Sequence, residues 1–296
     1  MNFRVADHII QISIKESPYN KFGLIPSFAP FRISEEETID ENDILFTMLV
    51  DDSISVAETK ESVGEFDLGD GKVNLWRLED GGYEYSIFDL KERECCLLQT
   101  DKSFRHCRCA LKGDRAMRRL GLNDALMFAF AFAGSRKQTL LIHASTILHE
   151  GYGYPFIAKS GTGKSTHSQL WIKHIPGSEL MNDDNPSVRI IDGKPIIYGT
   201  PWSGKTPCYR QIKAPLGAIT RIDRAKENSI ERLDIAQSFA SFLPSCSAMQ
   251  WDREIYDGIC QTITGIIATT PFYTLHCLPD EDAARLCHKT ISRTSK

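Results

Sequence analysis

The sequence predicts a mixed α/β (α+β) chain, with a smaller β-rich lobe over residues 1–112 and a larger domain built on a mixed sheet over residues 113–296. Three observations predict it. Short apolar runs with period-two alternation, broken by Gly and Asp, fill the first hundred residues. Helical periodicity first appears after Arg115. Near residue 160 a buried strand, a Gly/Ser/Thr turn and a helix follow in direct succession.

The 296 residues suffice for one large domain or two of ordinary size, and 42% apolar with 25% charged residues are globular proportions. A net charge of −4 speaks against a nucleic-acid partner held by a broad basic surface. The most apolar run, Ala125 to Ala133, has about half the length a bilayer needs, so no membrane association is expected. Met1 to Ser13 alternates polar and apolar residues instead of forming the apolar core of a signal peptide. The nine cysteines are odd in number and include no C-x-x-C pair, which reads as reduced thiols, most of them core filler, in a cytoplasmic protein.

In chain order, Val5, Ile9, Ile12 and Ile14 mark strands at the start, and Asp43 to Val50 marks another. Glu65 to Leu68 enters the turn Gly69-Asp70-Gly71 and resumes at Val73, Leu75 and Trp76 as a hairpin; Tyr83 to Phe88 alternates with period two. These pair as an antiparallel sheet, a structural or partner-recognising lobe with Asp51-Asp52 in a solvated turn. Arg115 to Ala133 is a helix, apolar nearly all round in its second half, that Gly134 ends. Thr139 to Leu148 reads as one strong strand, turned by Glu150-Gly151-Tyr152-Gly153 onto a partner that ends in Pro155-Phe156-Ile157-Ala158. A helix over Ser165 to His174 and a strand over Glu179 to Asn182 come next. A hairpin then pairs Val188 to Ile191 with Pro195 to Tyr198 around Asp192-Gly193, and Leu216 to Ile222 is a strand. Ile235 to Leu243 and Arg253 to Ile267 are helices, Tyr273 to Cys277 a strand, and Asp280 to Lys289 a last helix with an acidic cap.

The chemistry concentrates in Ala158-Lys159-Ser160-Gly161-Thr162-Gly163-Lys164-Ser165-Thr166. This stretch fits G-x-x-x-x-G-K-[ST] at every fixed position but the first, where Ala158 stands for glycine. Glycines let successive N–H groups of Ser160, Gly161, Thr162, Gly163, Lys164, Ser165 and Thr166 converge on an oligophosphate, and the helix that follows favours the same charge. Lys164 then reaches the β/γ-phosphates of ATP or GTP, and Ser165 holds Mg²⁺. Asp183 and Asp184 lie a helix and a strand further on, nineteen positions past Lys164 (183 − 164), so they emerge on the same sheet edge as the loop. Either they form a surface turn, which Asn185-Pro186 favours, or one carboxylate sits on Mg²⁺ while its neighbour accepts a proton. Lys205, in a Ser-Gly-Lys loop, is either a solvated loop lysine or a group that stabilises the transferred phosphate, in competition with Arg210 and Arg221. His143 either touches the acceptor or is a core histidine, His167 reads as a packing residue, and Trp202 either stacks on a base or packs.

The set His143-Ala144-Ser145, the loop from Ala158 to Thr166, and Asn182-Asp183-Asp184 resembles the HPr kinase/phosphorylase family and, more distantly, phosphoenolpyruvate carboxykinase. The resemblance covers about residues 138 to 223, extends weakly through Pro271 to Leu286, and leaves the N-terminal third unmatched. It implies a P-loop kinase domain of that type over 113–296, with Asp183 the catalytic base, Asp184 and Ser165 the Mg²⁺ ligands, Lys164 in the phosphate cradle and His143 an active-site accessory. The family's glycine-rich signature after the Asp pair is missing, and Gly199-Thr200-Pro201-Trp202-Ser203-Gly204-Lys205 occupies its place. This version is similar to HPr-kinase-like proteins that accompany bacterial peptide-modification systems.

The expected activity is a Mg²⁺-dependent kinase moving the γ-phosphoryl group of ATP or GTP to a hydroxyl of a protein, a peptide or a small molecule such as free serine. The alternatives are a nucleotide-binding sensor or scaffold, and a carboxykinase-type enzyme disfavoured by chain length and missing ligands. The acceptor and any homo-oligomer are left open by the sequence.

Overall fold

The computed structural model describes residues 1–15, 17–69, 71–204 and 206–293. The chain divides into two units, Met1–Gly134 and Ser135–Lys296. In the first, Ala6 (φ 49°) and Asp7 (φ 58°) turn the chain back so that β1 (Asn2–Val5) pairs with β2 (His8–Ile14), Val5 opposite His8. Two successive left-handed residues make the turn whose twist suits a two-residue hairpin. The other strands are β3 (Ile44–Val50), β4 (Lys60–Asp67), β5 (Gly71–Leu78), β6 (Tyr83–Asp89), β7 (Glu94–Thr100) and β8 (His106–Leu111), in the sheet order β1-β2-β3-β8-β7-β6-β5-β4.

An all-antiparallel sheet was the sequence expectation, but β3 runs parallel to both β2 and β8. Parallel neighbours need long crossovers, and residues 15–43, carrying three short 3-10 turns, supply one between β2 and β3. The β4–β5 hairpin is antiparallel as expected, although Asp70 of its turn lies outside the described residues, and β6 pairs antiparallel with β7, a strand the sequence reading did not name.

Helix α1 (Arg115–Gly134) packs on β3, β6, β7 and β8 of its own unit, so the division falls after this helix where the sequence reading put it before. Gly121 permits the approach: a Cβ there would stand 2.6 Å from Cys96 Cβ and 2.8 Å from the Cys95 carbonyl oxygen. Phe128 stacks on Tyr85 at 5.6 Å and Phe132 meets Phe104 edge-on at 5.2 Å. Asp52 is no free turn residue, since its carboxylate accepts from the Leu111 amide (3.0 Å) and from Arg118 (2.7 Å), tying β8 to α1.

The second unit holds β9 (Thr139–Leu141), β10 (Ala144–His149), β11 (Tyr152–Ile157), α2 (Lys164–His174), β12 (Glu179–Asp184), β13 (Ser187–Ile191) and β14 (Lys194–Tyr198). It continues with β15 (Lys213–Pro215), β16 (Ile219–Arg224), β17 (Ser229–Arg232), α3 (Ile235–Phe242), α4 (Arg253–Thr269), β18 (Phe272–Cys277) and α5 (Glu281–Ile291). A mixed six-stranded sheet has the order β12-β10-β11-β16-β18-β17, and an antiparallel four-stranded sheet has the order β15-β14-β13-β9.

The single strand expected over Thr139 to Leu148 is in fact two, β9 and β10, in different sheets. The Ile142 amide still follows the β9–β13 register, donating to the Pro186 carbonyl (3.1 Å); the change comes at His143, whose amide donates to the Ser245 carbonyl (2.7 Å) before Ala144 joins β11 and β12. His143 therefore sits at a junction between sheets. The turn to β11 is tighter than expected, with Glu150 and Gly151 alone left-handed (φ 46° and 77°) and Tyr152 already in the strand.

Trp171 of α2, fully buried, lies 5.7 Å from Tyr154 and 5.6 Å from Phe156 of β11, and Ala283, Ala284 and Cys287 of α5 join that core. Burying aromatic area of this order fixes α2, and with it the loop that begins it, on the sheet. All nine cysteines are free and eight are buried; burial pushes the Cys95 and Cys277 thiols up to about 11, so they are core residues with little thiolate character. Among the described residues no helix is long and apolar enough to cross a membrane.

Candidate functional site

Strand β11 ends at Ile157 and the chain crosses to α2 through residues 158–163. Gly161 (φ 76°) and Gly163 (φ 130°) adopt torsions that side chains resist, and the Thr162 amide closes a turn on the Lys159 carbonyl at 3.1 Å. Gly163 starts α2 without a side-chain cap, and no acidic residue occupies the first turn. First-turn amides have no intrahelical acceptor, so this end carries a positive potential beside a loop of backbone N–H groups. Ala158 keeps the loop's first position serviceable, because it is the carbonyl that is used: it accepts from Lys164 Nζ at 3.4 Å.

The acidic pair reaches the loop through strand register. Ala144 of β10 faces Ile157 of β11 on one side and Asp184 of β12 on the other, and Ser145 faces Asp183. Strands β11 and β12, each antiparallel to β10, thus end on one sheet edge, as the sequence predicts. Asp183 is 3% exposed and accepts from Ser165 Oγ at 2.8 Å. Asp184 faces elsewhere: its Oδ1 is 3.0 Å from His143 Nδ1 and its Oδ2 accepts from Asn185 Nδ2 at 3.0 Å. Alternation along a strand sends neighbouring side chains opposite ways, which separates the two carboxylates.

Lys164 is buried, and its ammonium lies 2.7 Å from His143 Nε2. Burial lowers its pKa, against the pull of Asp184 and Asp183, which raise it. His143 accordingly takes the tautomer with Nδ1–H donating to Asp184 and the Nε2 lone pair accepting from Lys164. Its side chain keeps 39% of its surface exposed.

Two supports of this arrangement are invisible in the sequence. Residues 199–204 are clasped to the acidic strand: Asn182 Nδ2 donates to the Trp202 carbonyl at 3.1 Å, and Ser203 Oγ donates to the Asp183 carbonyl at 2.9 Å. Asp184 itself has φ 117°, a conformation costly for a side chain and held by this clasp. The second support is Arg224, at the end of β16, whose guanidinium donates to the carbonyls of Thr162 (2.9 Å) and Gly161 (2.6 Å). The parallel register of β16 with β11, Arg221 beside Ile157, brings this arginine to the loop, and only the sheet order could reveal it.

The remaining candidates are displaced from the centre or outside it. Arg210 donates to the Leu180 carbonyl (2.7 Å) and Glu179 (2.8 Å), and Arg221 to Asp223 (3.1 Å). Lys205 lies outside the described residues. Trp202 is 1% exposed, so it packs and offers no face to a base. His167 also packs, edge-on to Phe156 at 4.7 Å with Nε2 accepting from Trp171 (3.1 Å), and burial lowers its pKa to about 4. A cleft of about 370 Å³ along α4, lined by Arg136, Glu254, Asp257 and Gln261, shares no residue with this site. It offers an Arg136–Glu254 ion pair and the hydroxyls of Ser135 and Thr262, the latter donating to the Gly258 carbonyl at 2.8 Å.

No protein-family model matches the chain, and no curated protein matches it. Among solved structures the chain is similar to one described as the Hpr(Ser) kinase/phosphatase from Coxiella burnetii, with a TM-score of 0.30 and 10% sequence identity over 50% of this chain and 91% of that one.

Proposed function

We propose that the second unit is a Mg²⁺-dependent kinase of the cytoplasm, transferring the γ-phosphoryl group of ATP or GTP to a hydroxyl, with serine in a protein, a peptide or the free amino acid as the acceptor class. The carrying observation is the contact of Ser165 with the buried Asp183, one residue from the lysine of a phosphate-binding loop. Two hard oxygen donors 2.8 Å apart suit Mg²⁺, which takes its other ligands from phosphate and water. No cluster of three His, Cys, Asp or Glu able to hold a metal occurs among the described residues, in keeping with an ion that arrives with its nucleotide.

The hydrogen bonds support an exchange of the roles that the resemblance implies. In this reading Asp183 joins Ser165 at the cation, while Asp184, paired with His143 and about one-third exposed, serves the proton. Lys164 and the loop amides neutralise the developing charge, which is most of what phosphoryl transfer asks of a protein.

The test is incubation with γ-labelled ATP or GTP, Mg²⁺ and either free serine, seryl peptides or protein acceptors. A phospho-product that is lost in Lys164→Met and Asp184→Asn is expected. Tight nucleotide binding with no product from any acceptor, water included, would leave a sensor in place of a kinase.

A further inference from the structure

In the free protein, the group best placed to take a proton is blocked by the residue that should hold the nucleotide. His143 Nε2 faces Lys164 Nζ at 2.7 Å, while Nδ1 is fixed by Asp184 at 3.0 Å. An imidazole whose Nδ1–H is held by a carboxylate has its tautomer fixed and its Nε2 lone pair oriented outward, which is the arrangement of a general base. A lone pair that accepts from an ammonium cannot at the same time accept from a hydroxyl.

Resting on the kinase reading above, we infer that Lys164 is a plug: bound nucleotide draws its ammonium onto the phosphates and uncovers a His143–Asp184 dyad that deprotonates the acceptor hydroxyl. The acceptor's O–H proton passes to Nε2 as its oxygen bonds the γ-phosphorus. The bond from that phosphorus to the β–γ bridging oxygen breaks, its electron pair leaving with the nucleoside diphosphate, and Asp184 stabilises the imidazolium. Asp183, 3% exposed and committed to Ser165, takes no part in the proton transfer. The acceptor oxygen is activated only in the presence of nucleotide, so binding is productive in one order.

Two features support this assignment over a merely structural histidine. The side chain keeps 39% of its surface open at a break between two strands, where a core histidine would be enclosed. Its two ring nitrogens are also engaged by the two groups, Lys164 and Asp184, whose partners would change during a reaction cycle.

The experiment follows the imidazole nitrogens of His143 in the ¹⁵N-labelled full chain, with His143→Gln for assignment. Without ligand, Nε2 should show the signature of an acceptor hydrogen-bonded to a cation. Saturating MgADP should move it to that of a free unprotonated nitrogen while Nδ1 stays protonated. By calorimetry His143→Ala should bind MgADP about three- to tenfold more tightly, because Lys164 no longer has a partner to leave. With MgATP and water as acceptor, the same variant should lose about 100-fold or more in kcat. An Nε2 signal unmoved at saturation, a weaker MgADP affinity in His143→Ala, or unchanged kcat overturns the dyad and leaves the kinase standing. If wild-type protein binds no MgADP or releases no phosphate to any acceptor, the kinase reading falls and the dyad with it.

Discussion

Gly161 and Gly193 form a matched pair that isolates what the loop backbone does. Gly161 has φ 76° and Gly193, in the turn between β13 and β14, has φ 73°; at both, an added Cβ would meet nothing within 4 Å. Alanine at either position therefore introduces no clash, only torsional cost. Holding alanine left-handed costs about 1–2 kcal/mol, of which a stiffer unfolded chain returns about 0.4–1 kcal/mol. Both variants should melt within a few degrees of wild type. Their ligand behaviour should differ. In Gly161→Ala the free loop can relax toward negative φ, and nucleotide binding must restore the strained form. At 1.4 kcal/mol per factor of ten, that weakens MgADP by about five- to thirtyfold. Gly163, with φ 130° and ψ 20°, lies outside the left-handed basin, so Gly163→Ala should weaken it further. Gly193→Ala should leave affinity unchanged. Calorimetric titration of the three variants with MgADP, alongside thermal melts, measures this. Equal affinities in Gly161→Ala and Gly193→Ala, with equal melting temperatures, would refute a role for residues 158–163 as a phosphate seat.

Three further outcomes follow from the same geometry. Asp183→Ala should lower the gain in nucleotide affinity that Mg²⁺ brings by about tenfold or more while binding in EDTA changes little, a difference seen by titration with and without the metal. Arg224→Ala, which removes both bonds to the loop carbonyls of Gly161 and Thr162, should weaken MgADP several-fold without lowering the melting temperature, because the arginine is exposed. His167 is held neutral by burial, with its pKa lowered to about 4 from 6.5. The unfolded chain takes up that proton as pH falls below 6.5 and the folded one does not, so stability declines by about 3 kcal/mol between pH 6.5 and 4 and levels below. Metal-free denaturant titrations across that range should show a shallower decline in His167→Gln.

Much of the second unit was legible in the chain because its signals are local. Gly161, Gly163, Lys164 and Ser165 carry their meaning in consecutive positions, Asp280 announces the start of α5, and Asp192-Gly193 the turn between β13 and β14. The Asp183-Asp184 pair was legible too, as a spacing of one helix and one strand from the loop. The failures have a common cause. Thr139 to Leu148 has the composition of one strand, and its break comes from partners far along the chain, Leu141 pairing with Ser187 in one sheet and Ala144 with Ile157 and Asp184 in another. The parallel strands of the first unit likewise answer to a long crossover that no window of sequence displays.

What the sequence determined by itself was the list of chemical groups: a glycine-bearing loop, a lysine, a hydroxyl and two carboxylates, since backbone torsion and charge belong to each residue wherever it lies. What only the tertiary structure decided was who faces whom. Strand alternation turned Asp183 toward Ser165 and Asp184 toward His143, sheet order set Arg224 against the loop, and burial placed the lysine's ammonium on an imidazole nitrogen. Hydrogen bonds act over about 3 Å, so they depend on contacts between segments distant in sequence, and those exist only once the sheets have formed.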